Sequence, residues 1–129
     1  MKPPDLSLAD DTGLREWSGP VEPLKAAATQ AALPFVLVDL RKAKDKATLF
    51  GELDRTLGLP EHFGHNWDAL ADVIEDRDWL GKKGRVVALA HSAAYRKDHP
   101  TDWTTLESIF SEAAEFWQER HVPFWVFVA

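Results

Sequence analysis

The apolar residues of the chain fall into short continuous runs separated by longer stretches with helical spacing. Three runs are continuous and rich in β-branched or aromatic residues, namely FVLVDL at 35–40, RVVALA at 85–90 and PFWVFV at 123–128. Such runs are typical of strands that are covered on both faces. The sequence therefore predicts three buried strands.

Three stretches have the apolar spacing of helices that pack on a core, and they cover residues 23–33, 46–57 and 101–120. Pro23 stands in the favoured first turn of the first helix, and Gly58 follows the second. We expect Thr101 or Asp102 to cap the third, and a short helix near residues 93–97. Helices that alternate with buried strands predict an α/β fold with a small three-stranded parallel sheet.

The first 20 residues carry prolines and glycines among scattered charges, which predicts an irregular N-terminal arm. Leu14 and Trp17 are its candidates for docking onto the rest of the protein. We expect an N-terminal arm and helix over residues 1–33 and a globular domain over residues 34–129.

Composition narrows the classes of function. A net charge of −6 argues against direct binding of nucleic acid and against anionic membranes. The absence of cysteine excludes thiol catalysis, disulfides and cysteine metal sites. The start, MKPPDLSLADD, lacks the apolar segment of a secretory signal, and no apolar run approaches ~18 residues. We expect a cytoplasmic monomer without a cofactor or metal.

Negative charge is concentrated in residues 66–78, which hold five acidic residues and one basic residue. Pro60 and Gly64 indicate a turn, and Asn66 stands where a helix N-cap is expected. In the helix that follows, two stripes are predicted: an inward one of Trp67, Leu70, Val73 and Ile74, and an outward one of Asp68, Asp72 and Glu75. Such crowding of like charge raises self-repulsion, which favours a cationic partner.

The same stretch, LPEHFGHNWDALADVIED at 59–76, resembles the barstar family, the intracellular inhibitors of barnase-type ribonucleases. The order of strands and helices agrees with that family over roughly residues 34–129. The resemblance implies a three-stranded parallel sheet packed by helices and a protein that is not an enzyme. It implies inhibition by acidic side chains that imitate substrate phosphates in the nuclease site.

The resemblance assigns the two motif aspartates to Asp68 and Asp72, and the glutamate of the long helix to Glu112, with Glu115 as the alternative register. It places His62 where a tyrosine is usual, Phe63 at the second aromatic position, and Ala71 where a tryptophan is frequent. The partner-binding residues expected from it are Asp68, Asp72, His62, Phe63, Ala71 and Glu112.

A physical argument supports the assignment of the aspartates. Two carboxylates one helical turn apart resemble successive phosphates in charge and spacing. The arginine, lysine and histidine of a ribonuclease site can bind carboxylates with charge-assisted hydrogen bonds. The first hypothesis is therefore an immunity-type inhibitor of a cationic, barnase-like ribonuclease.

Two alternatives stay open at this point. The first is a protein-interaction module on the same scaffold that binds another basic protein, which the departures at His62 and Ala71 favour. The second is a metal-dependent hydrolase that uses Asp68, Asp72 and Glu75. A metal site of that kind needs ligands from other elements, and the sequence offers no evident ones.

Overall fold

The computed structural model describes residues 2–61 and 63–129, so the expected binding residue His62 lies outside the described residues. The strands are β1 (Leu14–Glu16), β2 (Phe35–Asp39), β3 (Arg85–Ala90) and β4 (Phe124–Val128). The helices are α1 (Glu22–Gln30), α2 (Lys46–Leu57), α3 (Trp67–Ile74), α4 (Arg77–Leu80), α5 (Ala93–Asp98) and α6 (Pro100–Gln118). A single 3-10 turn, Ala9–Asp11, precedes β1.

The strands form one parallel sheet in the order β1-β4-β3-β2. Val38 pairs with Leu89, and Leu89 pairs with Val128. The α/β class with a parallel sheet is confirmed, but the sheet has four strands and not three. The additional strand is β1, which comes from the arm predicted to be irregular. Its sequence, LRE, contains no apolar run that would predict a strand. The segment is a strand because its backbone pairs with β4.

The prediction that the first apolar run is covered on both faces is wrong. β2 is an edge strand of the sheet, and Leu37 at its centre is 42% exposed. By contrast, β4 is buried at every position and β3 at every position after Arg85. A continuous apolar run therefore does not distinguish an interior strand from a half-covered edge strand.

The sheet separates two hydrophobic clusters, because successive side chains of a strand point to opposite faces. Phe124, Val126 and Val128 of β4 pack on the face that α2, α3 and α6 cover. Trp125 and Phe127 pack on the other face. That second face is covered by α1 and the N-terminal residues, through Leu6, Trp17, Leu24, Ala28 and Leu33.

The docking of the arm through Trp17 and Leu14 is confirmed. Trp17 is buried and meets Phe127 edge-on, with ring centroids 6.0 Å apart. Leu14 packs against the opposite cluster, and Trp125 Nε1–H donates to the carbonyl of Leu6 at 2.9 Å. The arm is therefore tied to the sheet by both apolar contact and hydrogen bonding.

The helix ends follow local sequence in most places. Pro23 lies in the first turn of α1, and Gly58 ends α2 with a left-handed backbone at φ 64°. The expected cap of α6 by Thr101 or Asp102 is wrong, because the helix already begins at Pro100 and has no side-chain cap. Proline has a fixed φ suited to the first helical position, which explains the earlier start.

Candidate functional site

The turn that precedes α3 is closed by short-range hydrogen bonds. Asn66 has an extended backbone, and its Oδ1 accepts from the Ala69 N–H at 2.8 Å. Its Nδ2 donates to the Gly64 carbonyl at 3.2 Å. The Phe63 N–H donates to the Pro60 carbonyl at 2.9 Å. The predicted N-cap is confirmed, and it fixes where α3 begins.

The two faces of α3 differ in exposure. Leu70 and Ile74 are fully buried, and Trp67 and Val73 are half-buried against the core of α2 and α6. Asp68 and Asp72 are exposed. Because residues four apart lie on the same side of a helix, these two carboxylates project from one outer face, one turn apart.

Helix α3 covers only part of the acidic stretch at residues 66–78. α3 ends at Ile74, and Asp76 then caps the four-residue α4, its carboxylate accepting from the Asp78 N–H at 2.8 Å. Asp76 and Asp78 therefore belong to a second helix start and not to the outer face of α3. The outer face itself keeps Asp68 and Asp72, with Glu75 at its end.

The end of α3 is held by the long helix α6. Trp117 Nε1–H donates to the Ile74 carbonyl at 2.8 Å in a buried position. The last carbonyls of a helix have no partner within the helix, so this bond supplies one from outside. Together with the Asn66 cap, it fixes both ends of α3 on the protein.

The acids of α3 and α6 are close enough to interact. Burial raises the pKa of the half-buried Glu75 above its ordinary value, and the negative charges of Glu112 and Asp72 raise this pKa further. Arg120 acts in the opposite direction. We call the group of Asp68, Asp72, Glu75 and Glu112 the acidic surface. The interaction with Glu75 places the charge of Glu112 near the end of α3.

Three carboxylates of the acidic surface, those of Asp68, Asp72 and Glu112, lie outside the ion pairs of the described residues. Within residues 2–61 and 63–129, the ion pairs join Arg41 to Asp39, Arg55 to Glu52, His65 to Asp54, Arg96 to Glu16 and His121 to Asp10. None of these pairs includes Asp68, Asp72 or Glu112. Their charge is therefore available to another molecule.

The remaining expected binding residues differ in accessibility. Ala71 is half-buried on α3. Phe63 is only 8% exposed, and its ring packs against Phe50 at 6.0 Å. The expectation of a direct partner contact by the Phe63 ring does not fit this burial, because the ring supports the turn from the core side.

Sequence reasoning missed the contacts that α2 makes with the turn. His65 Nε2 lies 2.9 Å from a carboxylate oxygen of Asp54, and the Lys46 ammonium lies 5.5 Å from the Trp67 ring centroid. Because these pairs join separate elements, no local sequence pattern predicts them. The only sign of these contacts in the sequence is a spacing of four residues, which places Lys46, Phe50 and Asp54 on one side of α2.

The described part of the chain contains neither a cluster of metal-ligating side chains nor a helix suited to crossing a membrane. Among these residues, no group of three or more histidine, aspartate or glutamate side chains is arranged to hold a metal ion. None of the described helices combines the length and the apolar character that crossing a membrane requires.

A comparison with protein families gives a match over most of the chain. The family model described as Barstar (barnase inhibitor) matches residues 33–129, which include the turn, the acidic surface and the helices that hold them. Residues 1–32, which supply β1 and α1, precede the match. A comparison with curated proteins finds no match.

Proposed function

The chain belongs to the barstar family, and from that membership we propose that it is an intracellular, immunity-type inhibitor of a cationic, barnase-like ribonuclease. The observation that carries the proposal is the state of Asp68 and Asp72. They are exposed, lie one turn apart on one face of α3, and are free of ion pairs within the described part of the chain.

Inhibition in this proposal needs no chemistry by the chain itself. A ribonuclease stabilises phosphoryl charge with cationic side chains, and these can bind the carboxylates of Asp68 and Asp72 instead of phosphate. Bidentate, charge-assisted hydrogen bonds to arginine would add geometric specificity. The carboxylates would then occupy the site where RNA must bind.

The rigidity of α3 supports the same function. Its first turn is capped by Asn66, its last carbonyl is bonded to Trp117, and its inner face is buried. A surface that is already ordered loses less conformational entropy when it binds. The fixed spacing of the two aspartates therefore favours tight binding to a complementary set of cations.

Glu75 and Glu112 extend the charge of the surface. Burial raises the pKa of Glu75, and repulsion by the negative charges of Glu112 and Asp72 raises this pKa further. A cationic partner would relieve that repulsion, and the negative field would accelerate encounter at low ionic strength. Net charge −6 is consistent with such steering toward a basic protein.

The test is inhibition of RNA cleavage by a panel of small barnase-like ribonucleases. We expect Asp68→Asn and Asp72→Asn each to weaken inhibition about 100-fold, since removing one partner of a buried ion pair costs about 3 kcal/mol. Glu22→Gln is the matched control, because Glu22 is an exposed acid at the start of α1 on the other side of the sheet. It should change inhibition less than twofold.

Full inhibition by the doubly substituted protein, with an unchanged circular dichroism spectrum, would reject the proposal. A second candidate is an interaction module for a basic protein that is not a nuclease. Ala71, where the family often has tryptophan, favours this candidate because it removes bulk beside Asp72. Binding to such a protein that depends on Asp72, with no ribonuclease of the panel inhibited, would favour it over the first.

A further inference from the structure

One stripe of α2 holds the turn that presents the acidic surface. Lys46, Phe50 and Asp54 are spaced four residues apart, so they lie in a row on the same side of the helix. Lys46 lies over the Trp67 ring, and Asp54 meets the imidazole of His65. Three successive turns of α2 therefore each contribute one side chain to the segment that leads into α3.

Phe50 is the centre of this stripe. It is 1% exposed, and three rings pack on it: Phe63 at 6.0 Å, His65 at 6.3 Å and Trp67 at 4.8 Å. These three are alternate residues of the chain. The segment therefore lies with one side against α2, and Asp68 follows directly after its last contact.

The contact between His65 and Asp54 is the polar member of the set. The two side chains are 2.9 Å apart, and both are partly accessible to solvent. His65 has a left-handed backbone with φ 48°, which a residue other than glycine adopts at a cost in free energy. The surrounding contacts must offset that cost for the turn to persist.

We propose that His65 is a positioning residue of the acidic surface, whose contact with Asp54 holds the turn on α2 and so fixes where α3 begins. This inference rests on the proposed function for its consequence, but its geometry stands without a partner. A protonated imidazole attracts the Asp54 carboxylate by charge, whereas a neutral one keeps only a hydrogen bond. In either form the pair joins the turn to α2, so loss of one of the two side chains loosens the start of α3.

Apart from Asp54, the described side chains that pack on the imidazole of His65 are aromatic. Among the described residues, Asp54 is the titratable side chain within hydrogen-bonding distance of His65. The other side chains packed on the imidazole are the rings of Phe50 and Phe63, which carry no charge. Lys46 lies over Trp67 at the next position of the stripe.

Amide hydrogen exchange at Ala69 and Leu70 tests the inference. Both amides donate to Asn66, to its side chain and its carbonyl respectively, so their exchange reports opening of the first turn of α3. We expect His65→Asn and Asp54→Asn each to increase their exchange about twofold to fivefold at pH 6, as for a partly exposed ion pair. The double variant should exchange no faster than the single ones.

Asparagine is chosen because it tolerates the left-handed backbone, so the substitution removes the imidazole without added strain. His91→Asn is the matched control, since His91 is also an exposed histidine with a left-handed backbone, at φ 56° just after β3. It should leave the exchange of Ala69 and Leu70 unchanged.

Inhibition of a barnase-like ribonuclease separates positioning from charge. Loss of a positioning contact weakens inhibition, whereas simple removal of positive charge beside an acidic surface would strengthen it. Unchanged exchange in His65→Asn, or in Asp54→Asn, would overturn the inference. If exchange responds as expected but no ribonuclease is inhibited, the positioning role stands and the proposed function fails.

Discussion

At the scale of single residues, Gly84 occupies a position that requires glycine, and only the folded structure reveals why. Its backbone has φ +107°, and an added Cβ would lie 2.0 Å from the Pro123 carbonyl oxygen. The Arg85 N–H donates to that same oxygen at 3.0 Å. The close approach that begins the pairing of β3 with β4 therefore requires glycine at this position.

Gly84→Ala and Gly51→Ala should consequently have opposite effects on stability. The first combines backbone strain with a steric clash, and we expect it to lower the free energy of unfolding by about 2 kcal/mol or more. Gly51 lies inside α2 with open space around its Cβ position, so alanine there should raise stability by up to about 1 kcal/mol. Urea unfolding of both variants measures the difference. Equal midpoints would contradict the stated role of Gly84.

Residues whose role depends on near neighbours could be identified from the sequence. Asn66 was predicted as a cap because cap, turn and helix start lie within a few positions, and Gly58 was recognised in the same way. The roles of Gly84 and His65 depend on Pro123 and Asp54, which are distant in sequence or belong to another element. The sequence immediately around Gly84 or His65 does not predict such contacts.

At the scale of elements, α3 combines two conflicting requirements. Its inner face must be apolar to pack on the core, and its outer face concentrates carboxylates. Burial and the charges of Glu112 and Asp72 raise the pKa of Glu75, so the charged form of Glu75 is less stable in the folded protein than in the unfolded chain. Charged Glu75 therefore lowers the stability of the folded protein.

Glu75→Gln should stabilise the folded protein at neutral pH and weaken inhibition of the ribonuclease. A carboxyl with a raised folded-state pKa is protonated in both states at low pH and imposes its full penalty only above the folded-state pKa. The gain, about 0.2–0.5 kcal/mol as for a like-charge pair, should thus be present at pH 7 and vanish below about pH 4. Thermal unfolding across this range provides the measurement. A gain of the same size at every pH would show that charge is not its cause.

Elements with a strong periodic pattern were predicted well, and those made by pairing were not. The bounds of α2 and β3 agree with their apolar spacing. The strand β1 was missed because pairing with β4 defines it, and the exposure of β2 was missed because sequence does not reveal which strand lies at an edge. The family resemblance, confirmed over residues 33–129, indicated the scaffold but not this fourth strand.

At the scale of the whole molecule, the sheet divides the protein into a side that carries the acidic surface and a side that α1, Leu6 and Trp17 cover. The cluster of α2, α3 and α6 lies on one face, and that of α1 with Leu6 and Trp17 lies on the other. The division of the chain at residue 33 remains a prediction. The arrangement indicates that residues before the family match contribute stability and leave the acidic surface uncovered.

A matched pair of tryptophan substitutions tests this division of roles. Trp17 Nε1–H donates to the Pro20 carbonyl and Trp117 Nε1–H donates to the Ile74 carbonyl, each at 2.8 Å. Replacing either residue with phenylalanine keeps an aromatic ring and deletes one hydrogen bond, which should lower stability by about 1–3 kcal/mol for a buried partner. Only the bond from Trp117 ends on α3, so only Trp117→Phe should also weaken inhibition of the ribonuclease. Calorimetric unfolding and inhibition are measured on the same samples. Loss of inhibition in Trp17→Phe as well would place the N-terminal side in the interface and contradict separate roles for the two faces of the sheet.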